Sequence, residues 1–218
     1  MLPRFCYVFL AAMCVGAQQR PAQRLYVYRD FLKPGSDDAY RKIEIEAARV
    51  CAEMKCPHPY LGIESLTGPK EAWWLNGFRS DAEEREVAAA YANNTKIRDA
   101  LALTATRKQA LITKPLETST RYLPEASRGS PWCVGAGRFL VITVTRSRRA
   151  MDGAVFEAPD GTRYVIRPAH TREQAGAIAQ AGGYESRIFA VRPYWSMPAE
   201  EWVAADPEFW RTAKPITR

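Results

Sequence analysis

Polar and apolar residues alternate through RLYVYRDFL, so Leu25 to Phe31 reads as a strand with two chemically different faces. The period then changes. After Ser36, a plausible N-cap, Tyr40, Ile43, Ala47, Val50, Cys51 and Met54 recur at helical spacing. Asp37 and Asp38 favour the positive end of that helix, and Pro57 and Pro59 stop it near Lys55. Two short runs, YLGIESL and KEAWWLNGF, read as strands on either side of the turn signal TGPK. Ser80 and Glu83 match a capping box, which predicts a helix from Asp81 to about Asn93 and a second piece from Lys96 to about Leu103. PLETSTRY supplies a fourth strand.

The order over Leu25 to Tyr122 is therefore β-α-β-β-α-β, a ferredoxin-like unit in the α+β class. Residues 123–137, LPEASRGSPWCVGAG, read as a polar linker. Residues 138–193 then read β-β-β-α-β: RFLVITVT, a hairpin of GAVFEAP and TRYVIRP, a helix from Arg172 to about Ala181, and SRIFAVRP. Thr171 and Gln174 repeat the capping-box signal just after this hairpin, so the second unit looks like a degenerate copy that has lost its first helix. One such sheet leaves a face uncovered and a second can cover it, which predicts a barrel-like core. Residues 194–218 form a tail rich in aromatic residues, expected to fold over its own domain.

Trp73 and Trp74 are adjacent, so in a strand they must point to opposite faces. Trp73 shares its face with Leu75 and matches Leu61 and Ile63, a set expected to pack under the helices. Trp74 shares the other face with Asn76, Tyr28, Asp30 and Glu64, and Arg167 is expected there from the second sheet. Aromatic walls with a few polar groups suit a small-molecule pocket between the sheets. A satisfied polar network without a ligand is the competing reading. A carboxylate enclosed by Trp74 and Tyr28 would hold its proton more tightly, making Glu64 and Asp30 the candidate catalytic bases. Arg167, if close, would instead favour anionic ligands.

The first strand, the WWLNGF strand and the capped helix after it resemble the dimeric α+β barrel superfamily, including NIPSNAP-like and antibiotic-biosynthesis-monooxygenase-like domains. The resemblance implies paired ferredoxin-like units, in tandem within a monomer or across a homodimer, that enclose a cavity. It also implies a range of activities, from cofactor-free oxygenases to haem enzymes and proteins with no known chemistry.

Composition narrows the classes. The chain has 218 residues, 47% hydrophobic and 25% charged, as in folded proteins. The formal charge of +7 is dispersed, densest at Arg146, Arg148 and Arg149, and no nucleic-acid motif accompanies it. His58 lies between prolines with only Cys56 nearby, and His170 precedes a helix cap, so neither forms a metal or haem motif. Neither a metal nor a cofactor is expected. P-loop, nucleophile-elbow and dinucleotide glycine patterns are missing. Arg4, the apolar run Phe5 to Val15 and Val15-Gly16-Ala17 match a secretory signal peptide over residues 1–17. That predicts export to a periplasmic or extracellular space without stable membrane insertion. Of the later cysteines, Cys51, Cys56 and Cys133, one pair can form a disulfide, and the sequence leaves the pairing open. The expectation is an exported binder of a small molecule in the inter-sheet cavity. The alternatives are a cofactor-independent oxygenase or isomerase-like enzyme, or a non-catalytic structural or interaction protein.

Overall fold

The computed structural model describes residues 20–129, 131–181 and 183–211; the signal-peptide segment lies outside them. The first half runs β1 (Arg24–Leu32), α1 (Asp37–Met54), β2 (Leu61–Ser65), β3 (Glu71–Phe78), α2 (Asp81–Asn93), α3 (Thr95–Gln109) and β4 (Ile112–Tyr122). The second runs β5 (Ser127–Arg128), β6 (Phe139–Thr145), β7 (Met151–Asp152), β8 (Ala154–Glu157), β9 (Arg163–Ala169), α4 (Arg172–Ala181) and β10 (Ser186–Val191). Two short helices, α5 (Glu200–Ala205) and α6 (Pro207–Trp210), follow. Both N-caps form: Ser80 Oγ accepts from Glu83 N, and Thr171 Oγ1 from Gln174 N. Gln174 completes its box by accepting from Thr171 N, whereas Glu83 reaches one residue further back, to Arg79 N.

Eight strands close one antiparallel barrel in the order β1-β3-β2-β10-β6-β9-β8-β4. Each half contributes four neighbours, β4-β1-β3-β2 and β10-β6-β9-β8. The halves join where β2 meets β10 and where β4 meets β8. The short parallel pair β5–β7 lies apart from the barrel.

The tryptophan pair splits across the wall as alternation requires, but the two faces are the reverse of the expectation. Trp73 points into the barrel, where its ring meets Phe189 at 4.8 Å and Tyr164 at 6.0 Å between centroids. Trp74 points outward, toward Tyr40 of α1 at 6.3 Å. The reason lies in the helices. α2 buries no residue and α3 only Ile97 and Thr104, so they cannot cover the more apolar face of the sheet. The two sheets can cover it for each other. Leu25, Val27, Leu61, Ile63, Trp73 and Leu75 pack against Leu140, Ile142, Phe156, Tyr164, Ile166 and Phe189 as one core. The space between the sheets is thus a packed interior, and the proposed pocket residues do not line it.

The stretch expected to be a linker contributes to this core through Trp132, with Val134 and Ala136 packed against it. Trp132 is buried against Phe156 and donates to the Ala136 carbonyl at 3.0 Å. The described part of the aromatic tail, residues 194–211, folds back. Trp202 and Trp210 join the core at one end of the barrel. The Trp202 ring lies directly on Gly135, where a Cβ would fall 2.3 Å from it and where φ is +90°. Only glycine suits that position.

Candidate functional site

The outer faces of β1, β2 and β3 are built from alternate residues brought side by side. Tyr28 stands opposite Trp74, and Asp30 opposite Ala72. On the next strand Gly62 stands opposite Trp74, and Glu64 opposite Ala72. Helices α1 and α3 lie over this face. α1 lowers Tyr40 and Glu44, one helical turn apart, onto it. α3 delivers Lys108 from its last turn.

These side chains meet in a buried ionic cluster. Lys108 Nζ lies 2.8 Å from Glu44 Oε1 and 3.3 Å from Asp30 Oδ2. Tyr40 donates its hydroxyl to Asp30 Oδ2 at 2.5 Å. The ammonium also faces three rings, Trp74 at 4.7 Å and Tyr28 and Tyr40 at 5.7 Å each. Asp30 is fully buried and Glu44 is 3% exposed, yet the two carboxylates share a single ammonium. Asp30 Oδ1 has no hydrogen-bond partner. A buried polar atom left so is uncommon and costly, and asks for an explanation.

The electrostatics follow from this imbalance. Burial pushes the Glu44 carboxyl above its ordinary range; Lys108 opposes the shift and the Asp30 charge adds to it. For Lys108, burial alone would weaken the ammonium, but Glu44 and Asp30 together outweigh it and hold its pKa up. Burial, followed by the Asp30 charge, raises the Tyr28 phenol. The cluster therefore holds a charged lysine and two acids, of which Glu44 is poised to keep a proton.

A cleft of about 310 Å³ opens beside it, between α3 and the start of β4. Tyr28 and Lys108 belong to both the cluster and the cleft wall; Ala105, Gln109, Ile112, Thr113, Lys114 and Pro115 complete the lining. A larger cleft, about 770 Å³, lies at the tryptophan-capped end of the barrel. It runs between Phe78, Val134 and Trp202 to Arg20, the first described residue. Three of its ionisable groups, Glu83, Arg79 and His58, have internal partners. Glu83 binds Arg79, and His58 Nε2 lies 3.0 Å from the Gly77 carbonyl with its ring stacked on Phe78. Among the described residues no group of three or more metal-ligating side chains occurs, and no helix is long and apolar enough to cross a membrane.

Of the residues expected from sequence, Tyr28, Asp30 and Trp74 do come together, though on the outer face of the wall. Glu64 lies on the same face but is taken up by Arg192, at 2.7 Å from its Nε, and by Arg41 at 3.6 Å. Asn76 lies further along the wall, opposite Tyr26. Arg167 is elsewhere, on β9 in the second half, where one Nη lies 3.4 Å from Ser186 Oγ and Nε has no partner. Sequence reasoning missed Lys108, Glu44 and Tyr40 as site residues. Lys108 fell past the predicted helix end near Leu103, whereas α3 runs to Gln109. Glu44 carried a legible signal, a carboxylate one turn from Tyr40 on the apolar stripe of α1.

No protein-family model matches the sequence, and no curated protein matches it. Among solved structures, the barrel is similar to a proposed monooxygenase from Lactobacillus acidophilus, with TM-score 0.43 and 8% identity over 78% of this chain and 93% of that one. A proposed monooxygenase from Fusobacterium nucleatum matches with TM-score 0.43 and 8% identity over 82% and 94% of the two chains. An anthrone oxidase-like protein matches with TM-score 0.42 and 14% identity over 78% and 92%.

Proposed function

We propose that the protein binds a small molecule in the cleft between α3 and β4, with Lys108 and Tyr28 as the polar floor of the site. One observation carries this reading: two buried carboxylates share one ammonium, and that ammonium also lines an open cleft. An ammonium has three donors, and two of Lys108's face Glu44 and Asp30, leaving one for a ligand oxygen. The Tyr28 phenol lines the cleft beside it, with its hydroxyl directed at Asp30. The acid pair keeps the lysine charged, and Asp30 retains a role by holding Lys108 and Tyr40 in place, while Glu64 does not contribute. A fragment screen followed by amide chemical shifts tests the site. Hits should move Ala105, Gln109, Ile112 and Thr113, and a bulky Ala105→Trp change should block them. Hits confined to the Phe78–Trp202 cleft would contradict the assignment.

We further propose that residues 1–17 are a signal peptide and that the protein acts outside the cytoplasm. A disulfide between Cys51 and Cys56, which leaves Cys133 out, supports an oxidising compartment. Exported protein should begin near Gln18 by mass spectrometry; an intact Met1 would refute this. The matching strand orders of the two halves support a tandem of ferredoxin-like units, with a monomer as the expected solution state.

A further inference from the structure

The cleft has a charge character that narrows its ligand. Its two charged lining residues are both lysines, Lys108 and Lys114, and no carboxylate lines it directly. The acids lie behind the wall, where Asp30 is fully buried and Glu44 nearly so. The ammonium of Lys114 is turned over Phe31, at 4.8 Å from the ring, so it adds long-range attraction rather than a contact. The apolar lining, Ile112, Pro115, Ala105 and the Tyr28 ring, suits a flat hydrocarbon group. A volume of about 310 Å³ equals the liquid share of roughly ten waters, the size of one ring bearing a carboxylate.

Resting on the cleft assignment above, we infer that its ligand is a small ring-bearing carboxylate, and that binding loads one proton from solvent onto the buried acid pair. Charge balance couples the proton to the ligand. With both acids ionised, Asp30, Glu44 and Lys108 sum to one negative charge, which repels an incoming anion. A proton on Glu44 makes the three neutral, and the ligand carboxylate can then take the remaining donor of Lys108. Among the described residues Lys108 is the cation that acts on Glu44, whereas Lys114 is turned away over Phe31. Around Glu44 stand Asp30 and Tyr28 from β1, Tyr40 from its own helix, Lys108 from α3 and Tyr60 just before β2. The tyrosines stay neutral throughout. Glu44 is thus the group that changes its proton.

Benzoate and benzyl alcohol separate the possible outcomes, with calorimetry in two buffers of different ionisation enthalpy to count protons. At a pH where Glu44 is ionised in the free protein, benzoate should bind with uptake of close to one proton. Benzyl alcohol should bind at least tenfold more weakly. Glu44→Gln should keep benzoate binding while removing the proton uptake, and Ala105→Trp should abolish binding without disturbing the fold. Benzoate binding with no proton uptake in the wild type would overturn the coupling. Equal affinity for the alcohol would overturn the carboxylate class while sparing the site. Binding of either probe that survives Ala105→Trp, or no binding to the folded wild type, would overturn the cleft assignment itself.

Discussion

The barrel wall carries a buried charge cluster on each side, and they are built on opposite terms. Inside, Glu71 accepts from Arg29 at 2.7 and 3.0 Å, from Arg187 at 2.6 Å and from Trp73 Nε1 at 2.6 Å. The amide of Glu71 is bonded to Ser65 as well, and Arg187 also donates to the Pro69 carbonyl at 2.7 Å. One acid is held between two guanidiniums that cannot lose their charge. Outside, two acids share one ammonium, an oxygen of Asp30 goes unpaired, and a cleft adjoins. The inner cluster is saturated and lies in the barrel interior; the outer one is under-supplied and adjoins a cleft. Saturation, not burial or charge, separates a structural ion cluster from a candidate site.

The largest effect expected is at the inner cluster. Glu71→Ala strands two guanidiniums, with 11% and 14% side-chain exposure, and should cost about 3–5 kcal/mol in chemical denaturation. Acid should not restore it, because arginine stays charged. Lys108→Met should cost about 3 kcal/mol at neutral pH, as Asp30 and Glu44 are left facing each other. Here acidification should recover much of the loss, since Glu44 can take a proton. A Lys108 variant insensitive to pH would erase the contrast between the clusters.

Trp74→Ala removes a half-buried ring and its contact with the ammonium, and should cost roughly 1–2 kcal/mol. Trp73→Ala, at the core of the barrel, should cost about 3–5 kcal/mol. Equal costs would mean that the wall has no looser side. Glu44→Gln should change stability at neutral pH by less than about 1 kcal/mol, because glutamine mimics the protonated acid. Its effect lies in the pH profile. The folded pKa of Glu44 is above its unfolded value, so its contribution is fully present below the ordinary carboxylate range. That contribution is lost as pH rises through the raised folded value. Wild-type stability should fall across that window, and the Glu44→Gln profile should be flatter there.

Local patterns carried the strand and helix order, because each rests on neighbours in sequence. The capping boxes at Ser80 and Thr171 set α2 and α4 to the residue. What alternation could not decide was which face turns inward: it separates Trp73 from Trp74 without saying what covers each. That answer depends on a second sheet far along the chain and on how apolar the helices are. The outer cluster was half legible for the same reason. Tyr28, Asp30 and Trp74 share one face by period, whereas Lys108 arrives from 78 positions beyond Asp30 on the last turn of a weakly amphipathic helix. Trp132 was hidden in a polar stretch whose composition outweighed its one large ring.

Carbon-detected titration of the Glu44 side-chain carboxyl by NMR tests the central claim most directly. The account predicts a midpoint clearly above the ordinary glutamate value of about 4.3, moving higher still when benzoate is added. A midpoint at or below that value, unchanged by the ligand, would mean that the outer cluster is as saturated as the inner one, and would contradict the account.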